Sequence, residues 1–165
     1  NRLSMIADRF SKIGSKPEMK LEPVCESVRQ GLDYMRARIS TSVALSVNLP
    51  DDDRNVMLCR PLFAWVIENL CKNAVDAMQG KGSLNVTAGY DHHTAFIEVT
   101  DTGKGIARKN FKTVFSPGFT TKKRGWGLGL TLAKRIIEEY HGGRIFVKWS
   151  EIGAGTTFRI ELPIK

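Results

Sequence analysis

Apolar residues recur at helical spacing in four parts of the chain. These stripes run through residues 1–13, 23–38, 61–78 and 127–140. The first stripe stops where Gly14 and Pro17 interrupt the pattern. We therefore expect residues 1–16 to be the end of a helix with its linker, and residues 17–165 to form one compact domain.

Strand-like segments fill the intervals between these predicted helices. Alternating or short apolar runs occupy residues 43–49, 56–58, 83–90, 94–100, 144–149 and 156–162. The resulting order is helix, two strands, helix, two strands, loop, helix, two strands. That order predicts an α/β (α+β) two-layer arrangement in which helices cover one face of a mixed sheet.

One long loop breaks this regular order. Residues 101–125 keep no apolar period and are rich in Gly, Thr and Lys. Loops of this length inside a compact domain are usually lids or binding loops. The net charge of +8 also concentrates here, because residues 102–124 hold seven basic residues and no acidic one. This confinement to one loop argues against a nucleic-acid-binding surface.

The remaining composition predicts a soluble chain with reduced thiols. No apolar stretch reaches the roughly 18 residues that a membrane-spanning helix needs. Cys25, Cys59 and Cys71 are odd in number, widely separated, and lack the spacing of a zinc site. We expect them to be buried free cysteines.

Three polar residues share one flank of the predicted helix 61–78. Asn69, Asn73 and Asp76 follow i, i+4, i+7 spacing beside the apolar stripe. Amide oxygens can ligate an Mg²⁺ whose other ligands are phosphate oxygens and water. The alternative is an ordinary helix edge facing water.

Two glycine-rich segments frame the loop. The first, DTGKGI, follows a strand and offers Asp101 as an acceptor for an adenine amino group, although Asp-x-Gly is also common in turns. The second, GWGLGL, opens the helix at 127–140 and supplies backbone N–H groups suited to phosphate. It matches neither the Walker nor the Rossmann spacing. The basic run just before it either neutralises phosphate charge or is simply solvated.

Taken together, the motifs resemble those of a known family. ENLCKNAVDA, DTGKGI, FSPGFTTKK, GWGLGL and GTTFRIELP resemble the N, G1, F and G2 boxes and the closing strand of histidine kinases, in order and spacing, over about residues 20–165. The resemblance implies the Bergerat (GHKL) α/β sandwich: a mixed, mainly antiparallel sheet covered on one face by three helices, with a long ATP lid. It also implies ATP and Mg²⁺ as cofactors.

The resemblance further implies a role for particular residues. Asn73 would ligate Mg²⁺, Asn69 would support metal or phosphate, Asp101 would recognise adenine, and Thr157 would support the adenine side. Lys122 would be a lid cation. The full set expected to contact the nucleotide is Asn69, Lys72, Asn73, Asp76, Asp101, Gly103, Gly105, Ile106, Lys122, Gly125, Trp126, Gly127, Leu128, Gly129, Leu130 and Thr157.

Two positions depart from the family pattern. Trp126 stands where a small residue is usual, and Gly118 replaces an aromatic residue. Trp126 either stacks beside the nucleotide or anchors the lid hinge. We expect Phe115 and Phe119 to anchor the lid in the protein rather than contact the ligand.

A phosphoacceptor histidine is not expected in this chain. His92 and His93 fall in a turn between strands, and His141 follows a helix, where it can meet helix C-terminal carbonyls. The acceptor would lie upstream of Asn1, in a dimerisation domain that passes phosphate to a response-regulator aspartate. We therefore expect a cytoplasmic, monomeric fragment without autophosphorylation, from a homodimeric kinase whose full length can be membrane-anchored, and no nucleic-acid partner. The alternatives are a degenerate nucleotide-sensing module and an ATPase or serine kinase of the same fold.

Overall fold

The computed structural model describes residues 17–39, 41–117 and 129–164. The predicted helix at residues 1–13 and its linker to residue 16 lie outside this part of the chain. None of the described helices combines the length and the apolar character that crossing a bilayer would require.

The described residues form seven strands and three α-helices, close to the predicted order. The strands are β1 (Lys20–Pro23), β2 (Val43–Asn48), β3 (Asn55–Leu58), β4 (Gly82–Tyr90), β5 (Thr94–Asp101), β6 (Arg144–Glu151) and β7 (Gly155–Pro163). The helices are α1 (Val24–Arg36), α2 (Arg60–Ala77) and α3 (Gly129–Arg135), and a π-helical segment, Ile136–Tyr140, continues α3. Strand β1 was not predicted, and two single 3-10 turns, Arg108–Asn110 and Thr113–Phe115, interrupt the loop.

The main sheet has five strands in the order β2-β4-β5-β7-β6. Strands β2 and β4 run parallel, whereas the other three neighbouring pairs are antiparallel. The predicted mixed, mainly antiparallel sheet is therefore confirmed. Strands β1 and β3 form a separate antiparallel pair, which a bridge from Val56 to Ile164 connects to the end of β7.

The core lies between the helices and one face of the sheet. Helix α1 buries the predicted stripe of Val24, Val28, Leu32 and Met35, and packs against α2. The first half of α2 is buried on nearly every side because it lies between α1 and the sheet. Alternate residues of the central strands face this core, including Ile97 and Ile160.

The cysteines are free, as expected. Cys25 and Cys71 are buried and Cys59 is partly buried. Burial raises the pKa of the Cys71 thiol to about 12.

Candidate functional site

The polar flank of α2 lies on the half of the helix nearer its C-terminus. Asn69 and Asn73 are half-buried, whereas Lys72 and Asp76 are exposed. Helical spacing puts Asn69, Asn73 and Asp76 on one side. This polar side of the helix is therefore partly buried at Asn69 and open to solvent at Asp76.

Asn69 meets the first residue of α3. A Cβ added at Gly129 would lie 2.7 Å from Oδ1 of Asn69 and 3.1 Å from its Nδ2. Glycine is what permits this close approach. Among the described residues, Nδ2 of Asn69 is buried without a hydrogen-bond partner. A buried unpaired donor is costly, which points to an acceptor that completes the site when bound.

Asp101 ends strand β5 and is 3 % exposed. Its Oδ1 accepts a hydrogen bond from the backbone N–H of Gly103 at 2.8 Å. Burial raises the pKa of the Asp101 carboxyl, and the backbone N–H groups of Gly103 and Thr156 partly oppose that rise. The hydrogen bond from Gly103 orients this buried acceptor beside the start of the loop.

Two glycines let the segment after Asp101 pass between α2 and the β6–β7 turn. A Cβ at Gly103 would lie 2.7 Å from the carbonyl oxygen of Ala77, and the next residue, Lys104, donates its N–H to that oxygen at 3.0 Å. Gly105 has a φ of +80°, and its Cβ would lie 2.2 Å from the carbonyl oxygen of Glu151. Only glycine fits either position, and the fold brings the Asp101 segment to the C-terminal end of α2.

Ile106 and Leu130 are two of the residues expected to contact the nucleotide. Ile106 and Leu130 are half-buried and pack against the core. The backbone N–H of Ile106 donates to Oγ of Ser150 at 2.7 Å. Sequence reasoning did not single out Ser150.

Thr157, expected to support the adenine side, does not lie opposite Asp101 in the sheet. In the β5–β7 register Asp101 faces Thr156, whereas Thr157 faces Thr100 and shares a hydroxyl contact with it at 2.9 Å. Successive strand residues point to opposite faces, so Thr157 lies on the face turned away from Asp101. Thr156 is the threonine on the Asp101 face. The alternation of Phe158, Ile160 and Leu162 along β7 could have identified Thr156, because Thr156 lies two residues before Phe158 and so on the same face.

The beginning of the loop is tied to the core at Phe115. This residue is buried and packs edge-on against Phe158, with ring centroids 6.0 Å apart. The hydroxyl of Thr131 in α3 donates to the carbonyl oxygen of Phe115 at 2.8 Å. The described part of the loop therefore contacts both the sheet and the helix that follows it.

Several predicted residues lie outside the described part of the chain. They are Gly118, Phe119, Lys122, Gly125, Trp126, Gly127 and Leu128.

The histidines occupy the predicted places. His92 and His93 are exposed between β4 and β5. His141 is buried, and its Nε2 accepts the backbone N–H of Cys59 at 3.1 Å. Its Nδ1 therefore carries the proton and donates to the carbonyl oxygen of Ile136 at 2.9 Å. This confirms the expected contact with a helix C-terminal carbonyl.

These groups fit a magnesium-bound nucleoside triphosphate. The buried Nδ2 of Asn69 can donate to a phosphate oxygen, and the amide oxygen of Asn73 is a hard ligand suited to Mg²⁺. Asp101 offers a buried, oriented acceptor for an amino group of a base.

A family profile and several known kinases match this chain in sequence. The profile described as "Histidine kinase-, DNA gyrase B-, and HSP90-like ATPase" matches residues 60–165. Sporulation kinase E of Bacillus subtilis (strain 168) is 37% identical over 145 residues, which cover 86% of this chain and 19% of that protein. Sensor histidine kinase ZraS of Escherichia coli (strain K12) is 44% identical over 99 residues, covering 60% of this chain and 21% of that protein. The chain thus spans about a fifth of the length of these relatives.

Solved structures show the same fold. The catalytic domain of histidine kinase ThkA superposes with a TM-score of 0.79 at 28% identity, covering 89% of this chain and 96% of that one. Full-length ShkA in complex with AMPPNP gives a TM-score of 0.79 at 25% identity, covering 98% of this chain and 35% of that one.

Proposed function

Because the chain belongs to the family of histidine kinase-, DNA gyrase B- and HSP90-like ATPases, we propose that residues 17–165 are the ATP-binding catalytic domain of a sensor histidine kinase. The complete protein would transfer the γ-phosphate of ATP to a histidine in a separate dimerisation domain. A response-regulator aspartate would then receive the phosphate. The names of the relatives support this assignment.

Each described site group has a part in holding Mg-ATP. Asp101 accepts a hydrogen bond from the adenine amino group, and Gly103 and Gly105 let the backbone beside it pass close to Ala77 and Glu151. Asn73 ligates the metal, and Asn69 donates from Nδ2 to a phosphate oxygen. Bound Mg²⁺ supplies neutralisation of the charge on the phosphates. The protein contributes mainly alignment of the phosphate with the attacking imidazole.

The observation that carries this proposal is the buried amide of Asn69. Its Nδ2 is unpaired among the described residues, and the same amide group lies against Gly129, where an added Cβ would be 2.7 Å from Oδ1. If this position were purely structural, an apolar side chain would fill it without the free-energy cost of burying an unpaired donor. A donor kept beside a glycine at the start of α3 is instead suited to an anionic ligand.

A comparison of two Asn→Ala variants tests the proposal. Asn69→Ala should weaken binding of a non-hydrolysable ATP analogue at least tenfold, as expected for losing a donor to a charged acceptor. Asn85→Ala is the matched control, because Asn85 contacts Ser46 and Asn48 at the other side of the sheet. Equal affinity of the two variants would reject the assigned role of Asn69.

The transfer reaction is tested in the full-length protein. Incubation with ATP and Mg²⁺ should yield phosphohistidine there, whereas this chain alone should bind ATP without becoming phosphorylated. Released phosphate or stable phosphoserine from the chain alone would favour an ATPase or serine kinase. Binding without any phosphohistidine in the full-length protein would favour a nucleotide-sensing module.

A further inference from the structure

Ser150, in the β6–β7 hairpin, contacts the loop that follows Asp101. The hairpin lies on the side of this loop opposite to α2. Oγ of Ser150 accepts the backbone N–H of Ile106 at 2.7 Å and donates to the carbonyl oxygen of Gly155 at 2.8 Å. It also lies 2.7 Å from Oγ1 of Thr156. One half-buried side chain therefore connects the loop, the turn and strand β7.

A β-bulge in β6 produces this arrangement. Val147 pairs with Phe158, but the next paired residue is Trp149, opposite Thr157, so that Lys148 is extra. Without the extra residue Trp149 would face Thr156, whereas the bulge brings Ser150 to that place. Bulges often re-aim side chains next to functional sites. Here the bulge puts Ser150 on the Asp101 face and leaves Trp149 43 % exposed.

The contacts of Ser150 continue to Asp101. Thr156, which shares a hydroxyl contact with Ser150, is also the residue paired with Asp101 in the β5–β7 register, and its backbone N–H lowers the pKa of the Asp101 carboxyl. A second contact also connects the hairpin to this loop, because the N–H of Gly153 donates to the carbonyl oxygen of Lys104 at 2.8 Å. The hairpin therefore fixes both ends of the segment 101–106 relative to each other.

We propose that Ser150 is a positioning residue for the nucleotide, which sets the path of residues 104–106 relative to Asp101 through its hydrogen bond to Ile106. This inference rests on the proposed function, because it concerns the affinity of that same site. Ser150 acts through the backbone of Ile106 and not by contact with the ligand. Its removal should leave Asp101 in place and free the backbone at Ile106.

The test compares three variants by calorimetric titration with a non-hydrolysable ATP analogue and Mg²⁺. Ser150→Ala should weaken binding about fivefold, the effect of losing one net hydrogen bond. Ser150→Thr keeps the hydroxyl and should bind like the unchanged chain. Ser46→Ala removes an exposed strand hydroxyl remote from the site and should also bind like the unchanged chain. Equal affinity of Ser150→Ala and the unchanged chain would overturn the proposal.

Amide hydrogen exchange gives a readout that a general loss of stability would not reproduce. In the unchanged, nucleotide-free chain, the Ile106 amide should exchange slowly, and Ser150→Ala should accelerate exchange at 104–106 without affecting the central strands. Rapid exchange of the Ile106 amide in the unchanged chain would overturn the proposal even if Ser150→Ala did not fold. If the unchanged chain showed slow exchange but bound no nucleotide, the proposed function would fail while the contact itself stood.

Discussion

Substituting Gly129 with alanine perturbs the site through a single methyl group. The new Cβ would lie 2.7 Å from Oδ1 of Asn69 and 3.1 Å from Nδ2, whereas non-bonded atoms prefer separations of roughly 3.5 Å or more. The amide of Asn69 must therefore move by roughly half an ångström or more. That movement withdraws the donor that we assign to a phosphate oxygen.

Gly129→Ala should weaken nucleotide binding without lowering the stability of the chain. A hydrogen bond to a charged group contributes about 1.5 kcal/mol or more, so the Kd for an ATP analogue should rise about tenfold. Gly129 is not among the glycines with positive φ, and alanine favours helix over glycine by up to about 1 kcal/mol. The melting temperature of the nucleotide-free chain should therefore stay unchanged or rise.

Gly142→Ala is the matched control with the opposite expected result. Gly142 has a φ of +67°, and among the described residues no heavy atom lies within 4 Å of its would-be Cβ. Its substitution should cost about 1 kcal/mol of stability and leave affinity unchanged. Calorimetry and thermal denaturation of both variants provide the two readouts. The reasoning is refuted if Gly129→Ala binds like the unchanged chain, or if its affinity falls only together with its melting temperature.

Three further predictions follow from other contacts. Thr156→Val should weaken binding of the ATP analogue about threefold by removing the hydroxyl beside Ser150, whereas Thr157→Val should cost about 1 kcal/mol of stability and leave binding unchanged. Burial lowers the pKa of His141. The unfolded state then takes up the proton first, so the free energy of unfolding should fall as the pH drops below about 6.5, and urea denaturation of His141→Gln should lack this component. Asp53→Ala should lower the free energy of unfolding by about 1 kcal/mol in urea denaturation, because its carboxylate accepts two backbone N–H groups at the start of α1.

For each of these three predictions, one experimental result would contradict it. Weaker binding by Thr157→Val than by Thr156→Val would reverse the assignment of the two faces. A stability of the unchanged chain that is flat between pH 7.5 and 5.5, after subtraction of the His141→Gln curve, would contradict the neutral buried imidazole. An Asp53→Ala variant as stable as the unchanged chain would show that these two hydrogen bonds add nothing net.

The sequence predicts the elements that bury a regular apolar stripe. Helices α1 and α2 and the strands of the main sheet follow from the spacing of residues such as Val28, Leu32, Ile97 and Ile160. Strand β1 was missed because its four residues, KLEP, show no alternation and pair with β3 more than thirty positions away. The contact of the Asp53 carboxylate with α1 was missed for the same reason, since the two are separated by 28 positions.

The candidate site was predictable where the local chemistry is distinctive. Asp101, Gly103 and Gly105 lie together as expected from a turn that only glycine allows. The role of Ser150 was not predictable, because it depends on an extra residue in β6 that shifts the register. At Thr157 the position in the motif and the strand alternation disagree, because alternation puts Thr156 on the face of the sheet that carries Asp101.

The most direct test of the account is calorimetric titration of a non-hydrolysable ATP analogue into the unchanged chain, first with Mg²⁺ and then with a chelator. We predict saturable binding that chelation weakens, because in the proposed site Asn73 would ligate the metal together with the phosphates. A chain shown to be folded that gives no saturable binding, or that binds equally well with the chelator, would contradict the magnesium-nucleotide site.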